Sequence, residues 1–308
     1  MGTLYLLIVA LMFSFGGTCA KLVSTSFTCE YITLFRFVMG VFFLLLLKLI
    51  RRQRFRPDFR QQLKSCGGWL VFGAVGKSLA YLTENYGLTH GVSYGNILTQ
   101  PAQAVFLVII STTLLHEKIS RKKLLFMLPC LVGVLLVSWN GRSLEEFVHG
   151  NLLVTALFLV SGTLAGCHVL AQKKVADRMD ILDSNLTMFT IAALVSLIPT
   201  IRPTLNGALV GVRPDLPCLM GILAYGFITG IAFYINAKAI PLVPFFMVPI
   251  IQSTMVLFGI LWGVLFFHES VSVWIVSGAA LFIFGIIGLQ LADPGKPRPA
   301  DPASPGQK

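Results

Sequence analysis

The chain has 308 residues, of which 56% are hydrophobic and 12% are charged. Soluble domains carry about 25% charged residues, so this composition excludes a soluble protein. The formal net charge of +11 would by itself favour a nucleic-acid partner. The six cysteines are scattered and form no C-x-x-C pair, so we predict no metal site, no redox centre and no cofactor.

Ten apolar runs follow one another along the chain. The length of each run is near the value of about 20 residues that a helix needs to cross a membrane. Lipid admits only helices or closed barrels, and these runs are too long for barrel strands. We therefore predict an all-α membrane protein with ten transmembrane helices, at residues 3–21, 31–50, 66–88, 93–115, 121–139, 150–172, 183–201, 216–237, 242–267 and 272–291. The first run lacks the features of a signal peptide and is expected to be retained. The Pro-rich tail, residues 293–308, is predicted to be disordered and cytoplasmic.

The basic residues concentrate in alternate connections between the predicted helices. With a cytoplasmic N-terminus, the outer connections hold only Lys21, Arg142, Arg202 and Arg213, and the inner connections and the tail hold the other basic residues outside the helices. This asymmetry predicts that both termini are cytoplasmic. The basic residues that produce the net charge are therefore expected to fix the topology and to contact anionic lipid headgroups. This interpretation argues against a nucleic-acid partner.

Two segments of the chain match each other at a separation of 152 residues. The matching residues are Gln100 with Gln252, His116-Glu117 with His268-Glu269, Ser120 with Ser272, and Gly133 with Gly285. We interpret this as an internal duplication, with one five-helix repeat at residues 1–140 and a second at 150–292. Since five helices separate equivalent points, the repeats are predicted to be inverted relative to each other, with a binding site between them.

Two of the predicted helices carry polar side chains along one face. These are Lys77, Tyr81 and Glu84 in the third helix, and Tyr225, Thr229 and Asn236 in the eighth. In the register of the duplication, Thr229 occupies the position of Lys77, and Asn236 that of Glu84. Polar groups inside the membrane are functional candidates by default, so we predict that both faces line one substrate cavity. The alternative is a Lys77–Glu84 pair that only fixes helix packing.

The fourth and ninth predicted helices carry amide side chains. Asn96 and Gln100 lie on one face of the fourth helix, and Gln252 takes the position of Gln100 in the ninth. These amides are candidates for substrate binding, and the alternative is that they join helices by hydrogen bonds. Trp262 lies within the ninth helix and is a candidate wall of the cavity.

Two further polar residues have more than one interpretation. His168 in the sixth helix is a candidate for proton coupling, or else a packing partner. Arg36 in the second helix reaches the outer surface, pairs with Glu30, or contacts an anionic substrate group.

The two His-Glu pairs lack the second His of a zinc-protease motif, and the chain has neither a G-x-S-x-G sequence nor a P-loop. We therefore predict that the protein is not an enzyme. The pairs are expected to end a helix at opposite membrane surfaces. Ser120 and Ser272 are then placed to cap the helices that follow.

The chain resembles the drug/metabolite transporter superfamily, EamA type, in one sequence pattern. In this pattern a Glu ends a helix, a polar residue follows three positions later, and spaced glycines come after it. The matching residues are Glu117, Ser120 and Gly133 in the first repeat, and Glu269, Ser272, Gly278 and Gly285 in the second. Phe126 departs from the pattern in the first repeat. The resemblance implies two inverted five-helix repeats, cytoplasmic termini and transport of a small solute, often an exported amino acid, usually across a bacterial inner membrane.

The expected function is secondary transport of a small amphipathic metabolite by alternating access, with an amino acid or amine favoured and export expected. Glu84 is the candidate group for binding an amine or for coupling to protons. The alternatives are uptake or exchange of a larger nucleoside-like metabolite and, from another class, a receptor or assembly subunit. The expected partners are the substrate, the bilayer and a coupling proton, with the choice between monomer and homodimer open.

Overall fold

The computed structural model describes residues 1–53, 59–90, 99–117, 119–139, 141, 143, 152–267 and 271–292. The regular elements in these ranges are helices. They are α1 (Gly2–Ser14), α2 (Gly16–Ser24), α3 (Cys29–Ile50), α4 (Phe59–His90), α5 (Thr99–Thr113), α6 (Arg121–Trp139), α7 (Leu152–Val175), α8 (Ile181–Leu205), α9 (Leu216–Phe227), α10 (Phe233–Ala239), α11 (Met247–Gln252), α12 (Met255–Phe267) and α13 (Val273–Leu291). A π-helical turn, Ile228–Ala232, joins α9 to α10, and a 3-10 turn, Ile240–Leu242, follows α10.

These elements correspond to the ten predicted helices and confirm the all-α class. The first, eighth and ninth predicted helices each consist of two elements: α1 with α2, α9 with α10, and α11 with α12. Helix α4 begins at Phe59, earlier than the predicted start at residue 66, because residues 59–65 contain no Gly or Pro that would end it. The predicted disordered tail lies outside the described residues.

Four stretches of the described chain are long and apolar enough to cross a membrane by length and composition. They are Gly2–Ser24, Cys29–Ile50, Ile181–Leu205 and Leu216–Leu242. Helix α4 has 32 residues but carries charged side chains along its length. Large apolar side chains such as Ile198 and Phe284 are exposed, as expected for a surface that faces lipid chains.

Proline and glycine account for the interruptions near the middle of the molecule. Helix α1 ends just before the Gly16-Gly17 pair, and Pro241 and Pro244 separate α10 from α11, because proline lacks the N–H that a continuous helix needs. At the π-helical turn, a Cβ on Gly230 would lie 2.7 Å from the carbonyl oxygen of Gly40. Helix α3 therefore packs directly on this turn. Single π-helical turns of this kind are frequent at functional sites.

Helices α6 and α13 pack against each other with the symmetry of the duplication. A Cβ on Gly133 would lie 2.6 Å from the backbone nitrogen of Phe282, and a Cβ on Gly285 would lie 2.8 Å from that of Cys130. These two contacts are equivalent, because Gly285 and Phe282 follow Gly133 and Cys130 by 152 residues. Such reciprocal contacts are typical of a two-fold axis. Cys130 also contacts its own equivalent, with its Sγ 3.8 Å from the carbonyl oxygen of Phe282, so the pseudo-two-fold axis passes between these residues.

The first His-Glu pair has a structural role in the described chain. His116 has a φ of +52° and ends the turn after α5. The carboxylate of Glu117 accepts a hydrogen bond from Ser111 and a second from the backbone N–H of Phe245 at 3.1 Å, which ties the two repeats together. The second pair, His268-Glu269, lies outside the described residues.

The predicted caps are confirmed. The Oγ atoms of Ser120 and Ser272 accept hydrogen bonds from the backbone N–H groups of Lys123 and Ile275, each at 3.3 Å. Two serines in equivalent positions thus begin α6 and α13, the pair of helices on the pseudo-two-fold axis.

Candidate functional site

A cavity of about 330 Å³ lies between the two repeats, within the usual size range of small-molecule sites. Its walls include side chains of α1, α3, α4, α5, α7, α9, α10, α11 and α12. Seven of the predicted site residues line it: Lys77, Tyr81, Glu84, Gln100, Tyr225, Asn236 and Gln252. The cavity extends from the exposed Gly17 to the fully buried Asn236.

Arg36 lies at the centre of the wall that the two repeats share. Its Nε donates to Thr229 Oγ1 at 2.8 Å, and its Nη1 donates to the hydroxyl of Tyr225 at 2.6 Å. Its guanidinium carbon lies 3.6 Å from the centre of the Tyr81 ring. Arg36 is buried, so the interpretation that it reaches the outer surface is wrong. Thr229 is held behind it, and Arg36 is the side chain of this pair that lines the cavity.

The ammonium group of Lys77 lies against aromatic rings. Its Nζ is 4.1 Å from the centre of the Tyr81 ring and 4.9 Å from that of Phe233. Both rings also line the cavity. The attraction of a cation to a ring face is about 2 kcal/mol or more where water is excluded, so these rings hold the lysine in a defined position.

The buried end of the cavity is closed by a chain of four amides. Gln252 donates to Asn236 at 2.7 Å, Asn236 to Gln172 at 3.3 Å, and Gln172 to Asn185 at 2.9 Å. Asn185 completes the chain by donating to the carbonyl oxygen of Ile181 at 2.7 Å. All four amides are buried, and they connect α7, α8, α10 and α11. Gln252 therefore joins two helices, as one alternative predicts, and it also lines the cavity, where its role in substrate binding stays a prediction.

Beyond this amide chain, two contacts of α3 seal the same end of the molecule. Lys48 forms a buried ion pair with Asp183 of α8, and Arg51 donates to the hydroxyl of Tyr234 at 2.5 Å. In the predicted topology this end is the cytoplasmic one. The other end of the cavity, near the exposed Gly17, is the outer end in this topology, so the cavity is asymmetric across the membrane.

Glu84 lies toward the outer end and is partly buried. The next residue, Asn85, donates to Thr33 Oγ1 of α3 at 2.8 Å and lines the cavity too. Gln100 also lines the cavity, and its carbonyl oxygen is buried without a hydrogen-bond partner among the described residues. The outer end is therefore lined by a carboxylate and two amides.

Two predicted residues, Trp262 and His168, do not line the cavity, and a third is not among the described residues. Trp262 is not among the described residues that line the cavity; its Nε1 donates to Ser14 Oγ at 2.8 Å, and its ring stacks on Phe15. His168 is fully buried behind the wall, with Nδ1 3.1 Å from the carbonyl oxygen of Gly73 and its ring against Phe233. These contacts fit the packing alternative for His168, and proton coupling there stays a prediction. Asn96 lies outside the described residues.

The candidate site contains residues that the sequence did not single out as site residues. Arg36 was considered with three interpretations, and Phe233, Asn85 and Gln172 were not considered. A signal existed for Gln172, because it lies one turn beyond His168 on the same helix face. For Phe233 and Asn85 no distinguishing signal is visible, since aromatic and amide residues are frequent in these helices.

Comparison with protein families identifies the chain. The model of the EamA-like transporter family matches it twice, at residues 1–139 and at residues 152–291. The chain belongs to the EamA-like transporter family. The two matches confirm the predicted pair of EamA repeats, and membership makes this EamA protein an integral, multi-pass membrane transporter rather than an enzyme. Its partners are accordingly the bilayer and a small-molecule substrate.

The fold of this EamA protein resembles that of solved structures. One of them, described as "Crystal structure of protein", has 16% sequence identity and a TM-score of 0.74 over 94% of this chain and 96% of that chain. At this identity the likeness concerns the fold alone. No curated protein sequence matches the chain.

Proposed function

We propose that this EamA protein is a secondary transporter that moves a small amphipathic metabolite across a bacterial inner membrane by alternating access. An amino acid or an amine is the favoured substrate. The observation that carries the proposal is the cavity between the repeats, which is lined by charged, aromatic and amide side chains and sealed at the predicted cytoplasmic end. Export is favoured because the resemblance to the drug/metabolite transporter superfamily implies transport that is often export.

The lining supports an amphipathic substrate. Phe13, Tyr81, Tyr225 and Phe233 provide ring surfaces, which bury apolar groups and stack on aromatic ones. Arg36, Lys77 and Glu84 provide charge of both signs. A zwitterion with an apolar side chain matches both properties, and so does an amine that uses Glu84 alone.

Counterflow in proteoliposomes tests the proposal. Purified protein is reconstituted with single unlabelled amino acids or amines inside, and entry of the labelled compound is followed with and without a pH gradient. We expect transient accumulation of at least one compound over protein-free vesicles. Accumulation of nucleosides instead would favour the nucleoside-like alternative. The absence of accumulation for every small solute would contradict transport and favour a receptor or an assembly subunit.

A further inference from the structure

Arg36 and Lys77 form a pair of cations on the cavity wall. Both approach the ring of Tyr81, at 3.6 Å for the guanidinium carbon and 4.1 Å for the ammonium nitrogen. The two cations are therefore separated by no more than the sum of these distances. Each is 7% exposed, and each lines the cavity. A single small group in the cavity can contact both.

The described side chains in direct contact with these cations are rings and hydroxyls, and the charge of Glu84 acts on Lys77 from beyond ion-pair distance. The described hydrogen bonds of Arg36 go to Thr229 and Tyr225, which leaves three of the five guanidinium N–H groups for another acceptor. Neither Arg36 nor Lys77 forms an ion pair within the described part of the chain. Attraction to ring faces offsets only part of the loss of hydration of a buried cation.

The charges of the described lining are not balanced. Arg36 and Lys77 are cationic, and Glu84 is the acidic residue among them. Glu84 follows Lys77 by seven residues along α4, which is a rise of about 10 Å, and lies toward the outer end. The lining thus places an excess of positive charge near Tyr81 and a carboxylate farther out.

We propose that Arg36 and Lys77 together bind an anionic group of the substrate, most simply a carboxylate, beside the ring of Tyr81. This inference rests on the proposed function and narrows its substrate class, because an amine without an anionic group cannot use the pair. Arg36 offers the planar, two-pronged donor geometry that suits a carboxylate. Lys77 adds a point charge from the other side of the site. The cavity then selects amino acids or organic anions over simple amines.

Binding of matched compounds to the purified protein tests the pair. Each amino acid is compared with its amine and with its acid: phenylalanine with phenethylamine and 3-phenylpropionate, and leucine with isoamylamine and 4-methylvalerate. Affinities are measured by calorimetry on protein in nanodiscs. Hydrogen bonds to charged groups have a strength that corresponds to about 10-fold to 100-fold in affinity. We expect each amine to bind weaker than its amino acid by about that factor.

Variants at Lys77 separate the pair from general packing. Lys77→Met keeps an apolar chain against the rings of Tyr81 and Phe233 and is expected to weaken amino-acid binding about 10-fold, with amine binding unchanged. Lys77→Arg is expected to restore most of the discrimination. Lys122→Met, a change at an exposed lysine of α6, is the matched control and is expected to bind like the wild type. Elution volume and melting temperature report whether each variant is folded.

The outcomes distinguish the two proposals. Amines that bind as tightly as their amino acids, or a Lys77→Met variant that loses both classes equally, would overturn the anion site. The anion site would also be overturned if protein that is active in counterflow bound no compound of either series. Protein that neither binds these compounds nor shows counterflow of any solute contradicts the proposed transport function itself.

Discussion

Glu84 and Asn236 occupy equivalent positions in the two repeats but different places in the cavity. Asn236 is fully buried and held in the amide chain, so it belongs to the closed end. Glu84 is partly buried at the outer end, where a carboxylate can meet an amine or a proton. The same register position therefore contributes a fixed partner in one repeat and an ionisable one in the other.

Glu84→Gln tests the ionisable partner. The change keeps the size and one acceptor but removes the charge, so transport is expected to fall about 10-fold and to lose its dependence on a pH gradient. The measurement is counterflow in proteoliposomes at several external pH values. Thr83→Val, in which the lost hydroxyl bonds only to carbonyls of its own helix, is the control. Wild-type rates with the wild-type pH dependence in Glu84→Gln would rule out this role.

Much of the site at the residue scale is predictable from spacing. The i, i+4, i+7 pattern places Lys77, Tyr81 and Glu84 on one face, and the 152-residue register extends the prediction to Asn236 and Gln252. Arg36 could not be assigned, because its direction depends on Thr229 and Tyr225, which lie more than 180 residues away. Sequence spacing defines faces within a helix but not which faces meet.

At the scale of elements, helices α3 and α8 close the predicted cytoplasmic end through the Lys48–Asp183 pair. Removing one partner of a buried ion pair destabilises by about 3–5 kcal/mol. Asp183→Asn is therefore expected to loosen this end and to increase the labelling rate of Cys66, which is buried in the cluster that contains Leu182. Peptide mass spectrometry after maleimide treatment in nanodiscs gives the rate.

The control for this prediction is internal to each sample. Cys218 is fully buried in a different cluster, with Cys19 and Val23, and its labelling rate is expected to stay unchanged. The double change Lys48→Met with Asp183→Leu is expected to restore protection of Cys66, because apolar pairs can replace buried ion pairs. Equal rates for Cys66 in the wild type and in Asp183→Asn would contradict a closing role for the pair.

The amide chain is a second connection between elements. Gln172→Leu removes the link between Asn236 and Asn185 and leaves their amide groups without this partner, which costs about 1–3 kcal/mol for each buried group. We expect a lower melting temperature in detergent. Thr163→Val is the matched control, because the Thr163 hydroxyl is exposed and bonds within its own helix at Leu159. A melting temperature equal to that of the control would show that the chain is dispensable for stability.

At the scale of the whole molecule, α6 and α13 join the repeats by close backbone contact. A Cβ on Gly133 would lie 2.6 Å from the carbonyl oxygen of Gly278, and a Cβ on Gly278 would lie 2.7 Å from that of Gly133. Gly133→Ala and Gly278→Ala are each expected to destabilise by about 1–3 kcal/mol, as overpacking does. Thermal unfolding in detergent measures the effect.

Gly68→Ala is the contrasting variant for the same measurement. Gly68 lies within α4, with no atom within 4 Å of an added Cβ, so alanine there is expected to stabilise by up to about 1 kcal/mol through helix propensity. The predicted order of melting temperatures is Gly68→Ala at or above the wild type, with both α6–α13 variants below it. Equal melting temperatures for all three variants would contradict close packing on the axis.

The pseudo-two-fold axis at Cys130 and Phe282 has a consequence for how such a chain could arise. In a dimer of one unfused repeat, Gly133 and Gly285 would be the same residue, and every contact across the axis would occur twice. Each mutation would then alter both halves of the cavity together. Fusion of the copies removes that constraint. One repeat can then keep the charged Lys77 and Glu84 while the other repeat has the neutral Thr229 and Asn236 at the equivalent positions. The equivalent backbone contacts between α6 and α13 are what two copies of one repeat would share, and the unequal cavity is a difference that fusion permits.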